Sequence, residues 1–328
     1  MKNFIYLALL IIIVSCSSND SSEEILNCGV YEGDISLYTP LLLEEFIKCN
    51  YTEITGDLTI GDGNVAYPIE DLSGLSSLTK VGGTLGIGNL NELQSLHGLH
   101  NITSAESLSI GNAYHIDNLD ELDKLQTDRI HLVNNPLLSN IDGLDMSSNT
   151  LEYVYIRNCP LITNLNCFSN ITKITAGLHI QYIDGLTDLY GLHNLETIGT
   201  YNIGYGGRFS LEGNENLLGI NELKSLNSII GGITVENNYN LPDLDGLSNI
   251  TSLQGDITIK WNFYLHNLNG FKNVTSFDGK IHITENPSLR SYCGLQSILT
   301  WGIVDDFVVY GNYNNVSEAQ ILNAPPCD

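Results

Sequence analysis

Basic residues are scarce in this 328-residue chain. Thirteen lysines and arginines stand against 38 aspartates and glutamates, a formal net charge of −25. A surface so poor in cations excludes nucleic acid as a partner, because phosphate backbones are held by lysine and arginine. The same charge opposes self-association, so a monomer is expected. Catalytic signatures are missing too. No Walker loop, GxSxG, HExxH or dinucleotide fingerprint occurs, and Asp-Gly recurs without the spacing of a calcium loop. The seven cysteines form neither a CxxC pair nor a zinc spacing. From these absences the chain is read as not an enzyme, with no cofactor and no metal.

What the sequence has is a repeat. Residues 232–255 read G-I-T-V-E-N-N-Y-N-L-P-D-L-D-G-L-S-N-I-T-S-L-Q-G, and residues 256–279 restate them with Ile259 for Val235, Asn262 for Asn238 and Gly270 for Gly246. A fixed period of about 24 residues is the mark of a solenoid. Each repeat opens on an apolar-x-apolar triplet, from Leu58-Thr-Ile60 to Phe307-Val-Val309. Alternation of this kind makes a strand with two residues turned inward and one outward. Eleven such strands, stacked in parallel ~4.8 Å apart, would make a sheet roughly 48 Å long. An asparagine usually follows each strand by two or three residues, at Asn89, Asn112, Asn135, Asn158, Asn214, Asn238, Asn262 and Asn286. Stacked at one corner, these side chains are expected to form a single structural ladder. The triplet grammar is absent from Asn27 to Thr55, where the apolar spacing over Leu41–Cys49 predicts a short helix covering one end of the coil.

The expected architecture is therefore all-β: a right-handed parallel β-solenoid of about ten to eleven turns of ~24 residues, with a short N-terminal capping helix. It divides into residues 1–15 as a signal peptide, 16–27 as a lipidated cysteine and tether, and 28–328 as one solenoid domain. Within that domain, 28–55 and 293–328 are its two caps. The repeated L-x-I-x-x-N-x-x-L-x-x-L-x-G-L-x-x-I over Gly56–Ser297 resembles the bacterial receptor L domain family, relatives of leucine-rich repeats. That resemblance implies a surface recognition module.

Phe4–Val14 is an apolar run too short to span a bilayer. It ends in Ile13-Val14-Ser15-Cys16, which resembles a bacterial lipobox. The resemblance implies acylation of Cys16 and contact with a membrane through that anchor only. Ser17–Glu24 resembles the acidic tethers of lipoproteins that reach the outer surface of some Gram-negative bacteria, so an outer-membrane, surface-exposed address is expected. Six cysteines are left, an even number that favours disulfides in an exported chain. Sequence does not fix their connectivity, but proximity pairs Cys28 with Cys49, Cys159 with Cys167 and Cys293 with Cys327.

The outward sheet face is the place to look for a ligand. Arg129, His131, Tyr153, Tyr155, Arg157, His179 and Gln181 fall on three successive turns, and Tyr and Arg are enriched where proteins meet partners. His131 and His179 lie two turns apart, ~9.6 Å, too far to share one zinc ion. A second candidate is the seven-residue surplus between Ile180 and Leu211, which carries Tyr201, Tyr205 and Arg208. The function expected is non-catalytic recognition or adhesion, binding a protein or glycan through the parallel-sheet face. The alternatives are a carbohydrate-active parallel β-helix enzyme, for which the strand rows lack converging carboxylates, and a structural spacer of the envelope.

Overall fold

The computed structural model describes residues 26–61, 68–144, 146–200 and 207–327. The signal segment, Cys16, the tether up to residue 25 and the bulge residues Tyr201 and Tyr205 lie outside them.

Alternation along the sequence becomes a long parallel ladder. Ile257 pairs with Ile281 and Ile259 with Ile283, and the same register runs through the other strands. Among the described residues the ladder holds twelve strands, from Ile35–Leu37 at one end to Ile303–Tyr310 at the other. All eleven triplets read from the sequence are present, and Ile35–Leu37 adds a strand inside the segment expected to lack one. Leu26–Tyr31, Cys49–Ile54 and Lys80–Val81 form a second, three-stranded parallel sheet. Inward residues such as Leu58, Leu85, Leu108, Ile130 and Val154 stack without solvent exposure. Each such side chain contributes roughly 1.5–3 kcal/mol by leaving water.

Helices are few and short. The N-terminal one is Pro40–Ile47, and it stops before Cys49, which opens a strand. Thr39 accepts the Leu42 amide hydrogen and proline sits in the first turn, so the start is fixed by sequence. Phe46 is buried against Tyr51 at 4.9 Å and Tyr31 at 5.8 Å.

Two disulfides form as expected, Cys28–Cys49 and Cys293–Cys327. The third does not: Cys159 and Cys167 are both free and buried. Lying within one turn does not bring them together. Cys159 lines the corner just after its strand, with Sγ 3.8 Å from the Leu132 carbonyl. Cys167 belongs to the 3₁₀ helix Asn166–Phe168, farther round the coil. Burial pushes the Cys159 thiol up to about 11 and the Cys167 thiol well above its ordinary value, so both are protonated at neutral pH.

The asparagine ladder is two rows, not one. Asn89, Asn112, Asn134 and Asn158 have φ between 54° and 58°, the left-handed region that a short amide side chain tolerates. Their amides link turn to turn at 2.9–3.0 Å. Tyr182, Asn237, Trp261 and Glu285 continue this row in the same backbone state. One residue on, a second row is buried: Asn135, Asn214, Asn238, Asn262 and Asn286, with Asn312 nearly so. In it the amide N–H of Asn214 donates to Asn238 Oδ1 and that of Asn238 to Asn262 Oδ1, both at 3.1 Å. Asn262 N–H then donates to Asn286 Oδ1 at 3.0 Å, and Asn286 N–H to Asn312 Oδ1 at 2.9 Å. Each Nδ2 reaches back to a carbonyl of the preceding strand, as Asn262 does to Val235 at 2.9 Å.

A second rule governs the opposite wall. Gly98, Gly143, Gly191, Gly246, Gly270 and Gly294 each rest on a turn that begins a 3₁₀ helix. A Cβ at any of the six would stand 1.8–2.2 Å from the carbonyl oxygen opening that helix: Leu72, Leu119, Leu165, Ile220, Leu244 or Leu268. Where the turn beneath is not a 3₁₀ helix, the same slot accepts a side chain: Glu121, Cys167 or Glu222.

Candidate functional site

Register places the predicted patch on one grid. Three adjacent strands, Arg129–Val133, Thr150–Arg157 and Lys173–Gln181, bring His131 beside Tyr155 and Tyr155 beside His179 in a single outward row. Arg129 lies beside Tyr153 in the row before it, and Arg157 beside Gln181 in the row after.

Four rings pack over this grid. His131 lies 5.2 Å from Tyr153 and 5.3 Å from Tyr155, and His179 lies 5.4 Å and 5.7 Å from the same two tyrosines. All four are half-buried. Gly177 leaves room for the cluster and was not singled out by the sequence reading. It takes the place beside Tyr153 in the register, and a Cβ there would stand 3.1 Å from His179 Nε2 and 3.2 Å from the Tyr153 ring. A glycine between two predicted ring-bearing positions was the available signal.

Burial holds both imidazoles below their ordinary value. His131 is lowered by desolvation, and His179 falls to about 4, chiefly by desolvation and further by Arg208 and His131. At neutral pH the two rings are uncharged and offer one donor and one acceptor each. Tyr153 is raised, again mainly by burial, so its phenol keeps its proton.

The polar members differ in how free they are. Arg157 is exposed, donates to the Tyr155 hydroxyl at 3.3 Å, and lies 5.1 Å above the Tyr182 ring. Tyr182 in turn donates to Glu212 at 2.8 Å. Gln181 is 8% exposed, donates to Ser210 Oγ at 3.1 Å, and accepts from Tyr155 at 3.3 Å, so it supports the cluster more than it faces solvent. Arg129 is held between Glu106 at 2.6 Å and Glu152 at 2.8 Å, two acids the sequence reading had not placed beside it. Arg208 is exposed, one strand beyond Gly177. The structure thus joins His131, Tyr153, Tyr155, Arg157, His179 and Gln181, and leaves Arg129 engaged at the edge.

The family model described as Receptor L domain matches residues 149–247. These are 99 of the 328 residues, and they include Tyr153, Tyr155, Arg157, His179 and Gln181 but neither Arg129 nor His131. No curated protein matches the chain.

Proposed function

We propose that this chain is a non-catalytic recognition protein that binds a protein or glycan ligand on the parallel-sheet face. The observation that carries the reading is the four-ring cluster of His131, Tyr153, Tyr155 and His179, fixed on a rigid ladder with Arg157 exposed at its rim. Uncharged rings give stacking faces, while their hydroxyl and imidazole groups give donors and acceptors. That combination suits sugar hydroxyls and the polar rim of a protein epitope alike. A platform already ordered loses little conformational freedom on binding. The receptor L domain match over 149–247 supports the same class. In this reading the fold is a right-handed coil of ten to eleven full turns, closed at its N-terminal end by the helix Pro40–Ile47.

The test is a glycan and surface-protein binding screen with the full chain, run beside the double variant Tyr155→Ala, Arg157→Ala. Truncating central aromatic and arginine contacts typically costs at least ~2 kcal/mol. A ligand is therefore expected to bind the variant ~30-fold or more weakly, and undiminished binding would move recognition off this face.

The reading includes a lipid anchor at Cys16, supported by the apolar run Phe4–Val14 ahead of it. Expressed in a Gram-negative host, the chain is expected in the membrane fraction and its Cys16→Ser variant in the soluble fraction. Equal fractionation of the two would defeat the anchor.

A further inference from the structure

The sequence reading found no metal set, yet the coil gathers one on the wall away from the ring cluster. His97 and His100 follow each other at a spacing of three, with Leu96 and Leu99 turned into the core beside them. Their imidazoles stack at 5.1 Å with planes 15° apart. Both present Nδ1 to the same oxygen, Glu121 Oε2, one turn further along: 3.4 Å from His97 and 3.7 Å from His100. Among the described residues this is the one group of three His, Cys, Asp or Glu side chains whose donor atoms all lie within 4.8 Å of one another.

We propose that His97, His100 and Glu121 bind a divalent transition-metal ion of the zinc class, with water completing the coordination. In a tetrahedral site with bonds of ~2.1 Å, ligand atoms stand ~3.4 Å apart, which is close to the two nitrogen–oxygen separations already present. Two imidazole nitrogens and one carboxylate favour zinc, copper or nickel over calcium or magnesium, which take oxygen ligands.

Two further observations point to an ion. His100 Nδ1 is buried and has no hydrogen-bond partner, which is unfavourable for a polar atom unless something else contacts it. Glu121 itself occupies one of the three slots where the glycine rule is lifted, because the turn carrying His97 and His100 is not a 3₁₀ helix. A side chain is thereby admitted at the place from which it can reach back over both rings. His97 is further steadied by its amide N–H, which donates to Ser95 Oγ at 3.0 Å. A bound ion would tie two neighbouring turns together.

The experiment is a calorimetric titration of the full chain with Zn²⁺ in chelator-free buffer, repeated with Ca²⁺ and with the variants His97→Gln, His100→Gln and Glu121→Gln. One equivalent of Zn²⁺ is expected to bind, and Ca²⁺ is not expected to compete. Loss of an outer-shell partner alone costs ~10–100-fold in affinity, so each ligand variant is expected to weaken binding by at least ~10-fold. Co²⁺ added to the unaltered chain should give the visible absorption of a low-symmetry nitrogen–oxygen site, a readout that does not depend on any variant folding. Absence of stoichiometric Zn²⁺ binding overturns the site. So does binding that survives in the doubly altered His97→Gln, His100→Gln chain, which would place the ion on other ligands.

Discussion

Asn262→Ala is expected to destabilise the coil by about 2–4 kcal/mol, since several buried groups lose partners worth ~1–3 kcal/mol each. Asn262 Oδ1 accepts the Asn238 amide hydrogen at 3.1 Å, and its Nδ2 donates to the Val235 and Lys260 carbonyls at 2.9 and 3.0 Å. Alanine removes these contacts, and those to the Asn238 and Asn286 side chains, at a fully buried position. The neighbouring row supplies the control. Asn112→Gly keeps the left-handed backbone and loses two side-chain bonds, one exposed and one part-buried, so its effect should stay below ~1 kcal/mol. Urea unfolding of both variants, with hydrogen exchange at the Asn238 amide, measures the difference. Equal midpoints for the two would mean that the buried row does not hold the turns together.

The second large effect is expected on the opposite wall, at Gly246. A methyl group there would stand 1.8 Å from the Ile220 carbonyl oxygen and 2.5 Å from its carbon. Ile220 cannot simply turn away, because its carbonyl accepts the Leu223 amide hydrogen that opens the 3₁₀ helix Asn221–Ser225. Gly246→Ala must either push two stacked turns apart or break that helix start. Overpacking of this kind costs ~1–3 kcal/mol and more where backbone is the obstacle, so a loss of about 3 kcal/mol is expected. At Gly219 the first atom a methyl group would meet is Asn221 Nδ2, at an ordinary 3.6 Å, and Gly219→Ala should be neutral or slightly stabilising. Thermal unfolding of the pair decides the matter: similar melting temperatures would refute the carbonyl–glycine packing rule.

The period, the strand triplets and the grid of the candidate patch were legible in the sequence, because strand alternation and a constant turn length are both properties of spacing. The division of the asparagines was not. Asn134-Asn135 and Asn237-Asn238 fill both rows at once, and a positive φ leaves no trace in residue spacing. Proximity likewise misled at Cys159 and Cys167, since eight residues carry the chain from the end of a strand to a 3₁₀ helix of the same coil. The partners of Arg129 were missed because Glu106 and Glu152 stand before the triplets, at positions the alternation does not assign to a face. His97, His100 and Glu121 fell outside the strand rows searched for chemistry.

The buried asparagines also bear on how the length of such a coil can change. Every turn in the C-terminal half completes the corner of the turn before it, and Asn315 Oδ1 does the same for the Asn312 amide at 3.1 Å. Chain length is therefore free to vary in whole turns, by duplication or loss of a unit, without leaving an orphaned donor inside. Surplus residues are free to enter between corners as well. Across the enlarged stretch from Ile180 to Leu211 the corner is kept: the Ile183 amide still meets Asn214 Oδ1 at 3.1 Å. Diversity can thus accumulate at the surface of this scaffold while its inner joinery stays the same.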